Sequence, residues 1–172
     1  MNIHPLFVHF PIGILTLYVF FEIVRLQIIT KQPFYFDVKA ILVVFGTFAG
    51  FIATTTGDIA EELASAGLNT VAGADILPLM ETHAFFAVST ITLFAVLAGS
   101  YLFEFCTQRQ WLSFVTKHTF LQKLSRLIQK SSVVLALIAM VLMFITGGLG
   151  ASIVYGPDFD PVIALIYDIF AP

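Results

Sequence analysis

His4-Pro5-Leu6-Phe7-Val8-His9-Phe10-Pro11-Ile12 opens an apolar run that continues to Leu26, and it places two imidazoles and two prolines at the mouth of that run. Ionisable groups in a membrane span are costly, which makes them functional-site candidates by default. Pro5 suits the first helical position, where its missing N–H costs nothing, and His4 then stands as the cap. Pro11 lies inside the helix, removes the bond to the Phe7 carbonyl and is expected to kink the span. By helical spacing His9, Gly13, Thr16 and Phe20 share a small, polar-leaning face, predicted to look into a bundle.

The rest of the chain makes that run one of four. Of 172 residues, 59% are apolar and 11% charged, against roughly one quarter charged in soluble domains, and the mean hydropathy is +0.97. Pro5 to Leu26, Val38 to Gly57, Thr82 to Phe105 and Ser132 to Val154 are each long enough to cross about 30 Å of hydrocarbon. Backbone polar groups in lipid must be satisfied within the segment, so helices are expected. The predicted fold is all-α: a single four-helix transmembrane bundle spanning 1–172, with no linker long enough to set off a second domain and no internal repeat.

Charge sets the expected orientation. Arg25, Lys31 and Lys39 surround the first connection, and Arg109, Lys117, Lys123, Arg126 and Lys130 the third; Asp58, Glu61, Glu62, Asp75, Glu81, Asp158, Asp160 and Asp168 gather at the far ends. The positive-inside rule then makes the first and third connections cytoplasmic and puts both termini outside. No basic region precedes the first apolar run and no cleavage signature follows it, so it reads as a retained span. The single cysteine, Cys106, excludes an intrachain disulfide and thiolate-rich metal sites.

In the second span, Gly46, Gly50, Ala53, Thr54 and Gly57 form a small-residue stripe with a GxxxG spacing that lets another backbone approach closely. Helical character is expected to run on through Ala64 and end at Gly67, followed by a loop from Leu68 to Leu79 broken by Asn69, Gly73 and Pro78. In the third span His83 shares a face with Ala87, Thr90 and Phe94. Phe120, Leu121, Leu124, Leu127 and Ile128 alternate with Lys117, Lys123, Arg126 and Lys130 as a basic amphipathic helix on the cytoplasmic lipid surface; His118 belongs to this segment rather than to a site. Gly147, Gly148 and Gly150 near the end of the fourth span are costly in a helix unless something comes close there. The tail from Pro161 to Pro172 is too short to span and is expected on the outer surface.

This topology brings His4, His9, His83, Glu62 and Glu81 to one depth at the outer face. Two imidazoles from different helices can hold a b-type haem axially, with glycines making room for the macrocycle; His9 and His83 are the expected ligands, with Gly147 and Gly150 lining the space. His4, His9, His83 and Glu62 could instead hold a divalent metal, or the cluster could relay protons. No motif surrounds Ser65 or Ser152 that would support a hydrolase. A non-catalytic membrane subunit, with capping histidines and glycine stripes that dock a partner helix, is the competing class. The expected partners are the lipid bilayer and a quinone or redox protein, with homo- or hetero-oligomers open and no nucleic acid.

The opening His4-Pro5-x-x-Val8-His9-Phe10-Pro11-Ile12, the stretch Thr56-Gly57-x-x-Ala60-Glu61-Glu62 followed by His83, and the close Thr146-Gly147-x-Leu149-Gly150 with Val154-Tyr155-Gly156 together resemble the prokaryotic membrane-protein family known as domain of unknown function 2231. The resemblance covers nearly the whole chain. It implies four transmembrane helices in a bacterial inner membrane and, through relatives fused to or encoded near Rieske-type and cytochrome c domains, a haem-linked or electron-transfer role. It also implies a His in the glycine-rich close; this chain has Gly148 near that place, so no fourth-span ligand carries over.

Overall fold

The computed structural model describes residues 4–24, 27–67, 76–111 and 118–171. Helices α1 (His4–Ile23), α2 (Gln27–Thr30), α3 (Tyr35–Gly67), α4 (Leu77–Gln108), α5 (Thr119–Lys130), α6 (Ser132–Tyr155) and α7 (Pro161–Phe170) follow in order, and no strand occurs among the described residues. Four of them, α1, α3, α4 and α6, are long and apolar enough to cross a membrane. Arg25, Lys117 and Asp75 lie outside the described residues.

The spans form a ring in which α1 packs chiefly on α3, α3 on α4, α4 on α6, and α6 back on α1. Leu15, Tyr18, Val19, Val43, Phe94, Leu97, Tyr101, Ala136 and Ala139 fill its centre. Tyr18 is wholly buried and sets its ring edge-on to Phe94 and Tyr101 across the ring, with centroids 6.3 and 5.8 Å away. A smaller core of Leu79, Ile145 and Leu149 forms where α7 folds back along α6. The turn into α7 is set by Asp160, whose Oδ1 accepts from the Val162 and Ile163 amides at 2.8 and 3.0 Å, with Pro161 in the first turn.

Two boundaries move from the sequence reading. The third span begins at Leu77, so Pro78, expected as a loop breaker, occupies the first turn of α4, where no N–H is needed. The second span runs through Tyr35–Gly67, ending at the expected glycine.

The inward face of α1 also differs. Pro11, Leu15, Tyr18, Val19 and Glu22 are its buried residues, while His9, Gly13 and Phe20 are exposed. A small, polar-leaning stripe signals an interior in water, but in lipid both sides of a helix are apolar and packing shape decides which face is covered. The stripe on α3 behaves as expected. A Cβ on Gly46 would stand 2.6 Å from Leu15 Cδ2, and one on Gly50 would collide with Ile91 of α4. The stripe is therefore covered by α1 and α4 of the same chain.

Adding a methyl at Gly46 or Gly50 should cost about 1–3 kcal/mol by overpacking, read as a lower unfolding midpoint in detergent. Gly13→Ala and Gly147→Ala, where a Cβ meets nothing within 4 Å, should leave the midpoint unchanged or raised.

Candidate functional site

One end of the ring carries the imidazoles. His4 starts α1 and reaches across to α3, its Nδ1 3.1 Å from Thr56 Oγ1. The Thr56 hydroxyl also lies 2.8 Å from the Ala53 carbonyl; when it donates there, the proton of the shared bond comes from His4 Nδ1–H. His83, in the second turn of α4, donates from Nδ1 to the Thr146 carbonyl of α6 at 3.0 Å; a carbonyl can only accept, so this ring carries its proton on Nδ1. The unprotonated nitrogen of the neutral His83 ring is then Nε2.

Each ring lies over a glycine. A Cβ on Gly57 would stand 3.2 Å from His4 Cε1, and one on Gly150 would stand 3.0 Å from His83 Cε1. A Cβ at Gly57 or Gly150 would require the imidazole to give by a few tenths of an ångström. The α1–α3 and α4–α6 pairs thus repeat one plan without a matching repeat in sequence: a histidine near the start of the first helix, a glycine near the end of the second, and a Thr residue that bonds to Nδ1. Beneath His83 the Thr90 and Thr146 hydroxyls meet at 3.4 Å.

The other expected site residues are placed differently. His9 is exposed, with Nδ1 on the Pro5 carbonyl of its own helix at 2.6 Å, and stands apart from the His4–His83 arrangement. Gly147 faces open space, whereas Gly150 lies against His83 and Gly148 against Ile166 of α7. Glu62 and Glu81 are exposed, and among the described residues no three His, Cys, Asp or Glu side chains gather as a metal site. His118 is exposed at the start of α5.

The sequence reading passed over a second polar centre at the opposite end. Glu22 of α1 is 2% exposed. Its Oε2 accepts from Tyr101 of α4 at 2.6 Å and from Lys39 of α3 at 3.1 Å, and its Oε1 accepts from Ser132 of α6 at 2.6 Å. The Lys39 ammonium also lies 4.8 and 5.3 Å from the Tyr35 and Tyr101 ring centres, a cation–π environment, and the Tyr35 hydroxyl donates to the Phe21 carbonyl. The signal in the sequence was a lone acid in an otherwise apolar segment, which lipid makes expensive unless it is paired.

Removing one partner of a buried ion pair strands the other. Glu22→Ala should therefore cost about 3–5 kcal/mol in unfolding experiments, while Asp37→Ala, which breaks the exposed 3.3 Å pair with Arg109, should cost at most about 1 kcal/mol. Equal effects of the two substitutions would contradict the assignment.

The family model described as "Predicted membrane protein (DUF2231)" matches residues 1–158. No curated protein and no solved structure matches the chain. With the match covering far more than half of its length, the chain belongs to this family of predicted membrane proteins.

Proposed function

We propose that the chain is a bacterial inner-membrane protein that binds a b-type haem between His4 and His83 and serves as an electron-transfer component. The observation that carries this reading is the pair of imidazoles, brought from α1 and α4 to one end of the bundle, each held at Nδ1 by a neighbouring helix. Outer-shell bonds of this kind fix the tautomer and aim of ligating histidines. Two imidazoles are a donor set that would hold haem iron, and the glycine under each ring leaves room for the imidazole itself.

Bound haem would supply a one-electron couple. The protein's part is to hold two neutral imidazoles in fixed orientation, to exclude larger side chains at Gly57 and Gly150, and to keep the site near one surface. In this reading His4 takes the role that spacing alone assigned to His9. The confinement of Lys31, Lys39, Arg109, Lys123, Arg126 and Lys130 to the opposite end supports placing the His end and both termini outside. A quinone in the bilayer or a redox protein at the outer face would then be the electron partner.

After haem-replete expression, the detergent-purified protein should show a Soret band and, on dithionite reduction, a sharpened α-band. His4→Ala and His83→Ala should each abolish the six-coordinate spectrum, and His9→Ala should leave it intact. No Soret band would end the haem reading and leave a non-catalytic membrane subunit; loss of the band in His9→Ala with retention in His4→Ala would restore the pairing expected from sequence.

A further inference from the structure

Helix α5 presents three faces. The first is fastened to α4: Ser125 is buried and its Oγ donates to the Ser100 carbonyl at 3.3 Å, Gln129 Nε2 donates to Ser100 Oγ at 3.2 Å, and Ile128 packs on the central core. The second is apolar and uncovered, with Phe120 73%, Leu124 41% and Leu127 62% exposed. The third is basic and exposed, with Lys123, Arg126 and Lys130 at helical spacing; neither ion pair among the described residues involves them.

We propose that α5 is a built binding site for an anionic phospholipid, and that its occupancy braces the bundle. Position argues for a lipid rather than a soluble partner. Lys130 is two residues from Ser132, where the span α6 begins, so the uncovered Phe120, Leu124 and Leu127 stripe adjoins the lipid-facing surface of the spans. An acyl chain can cover that stripe while Lys123, Arg126 and Lys130 meet the phosphate beside it. Arg126 offers a fork matched to phosphate oxygens and the two lysines add point charges. A free anion would use the basic stripe and leave the apolar one bare.

The coupling to the bundle follows from Ser100. It receives both hydrogen bonds from α5 and adjoins Tyr101, whose hydroxyl holds Glu22. A lipid that pins α5 therefore also pins the segment of α4 that closes the Glu22 centre. The inference does not depend on haem.

The test is thermal unfolding of the full chain in zwitterionic micelles supplemented with phosphatidylglycerol, with phosphatidylcholine, or with inorganic phosphate alone. Phosphatidylglycerol should raise the midpoint by about 5 °C or more over phosphatidylcholine, and free phosphate should do nothing. The triple variant Lys123→Gln, Arg126→Gln, Lys130→Gln should lose that gain while matching the parent in phosphatidylcholine. For the unmodified chain the gain should shrink as salt rises, which tests the idea without any variant. Equal midpoints in the two lipids, a salt-independent gain, an undiminished gain in the triple variant, or a gain from phosphate alone would each overturn it.

Discussion

A carboxylate 2% exposed in an apolar interior must have its lone pairs satisfied from several sides at once, because neither lipid nor packed side chains can do it. Glu22 takes its partners from each of the other three spans: Lys39 from α3, Tyr101 from α4 and Ser132 from α6. That requirement fixes which face of α1 looks inward and how far each neighbour is slid along it. The register then propagates. From Glu22 to Leu15 and from Lys39 to Gly46 is seven residues each, and from Leu15 to His4 and from Gly46 to Gly57 is eleven each. Seven and eleven residues are close to two and three helical turns, so all three contacts lie along one seam.

The same seam explains why the two polar centres are linked though they stand at opposite ends. The Glu22 centre sets the α1–α3 register, the close approach at Gly46 lets the helices run together, and the seam delivers His4 onto Gly57. The α4–α6 pair reaches the equivalent arrangement, with His83 on Gly150 and the Thr146 carbonyl. Two hairpins thus each carry an imidazole, held at Nδ1 by the second helix of the pair, to one end of the ring.

Much of this was legible in the sequence. The four spans follow from apolar length, the segregation of basic and acidic residues sorts the ends, and the Gly46–Gly50 spacing marks a close helix contact. The face of α1 was not legible, since a small or polar stripe means little when the alternative environment is lipid rather than water. His9 was expected on the inward face because it lies deeper than His4, yet it is exposed. Depth along a helix does not settle direction around it. Glu22 is a lone acid near the end of its apolar run, and only the packing of α1 against its neighbours shows that it turns inward.

The tautomers of the two oriented rings test the central claim most directly. In uniformly 15N-labelled protein at about pH 8, above the ordinary imidazole pKa of ~6.5, long-range nitrogen–carbon-proton spectra of the cofactor-free chain distinguish a protonated Nδ1 from a protonated Nε2 for each histidine, with exposed His118 as the internal reference. His4 and His83 should both carry the proton on Nδ1, which for His83 leaves Nε2 as the donor nitrogen. A proton on Nε2 of His83 would contradict the bond to Thr146, and with it the claim that this end of the bundle is built to present ligating imidazoles.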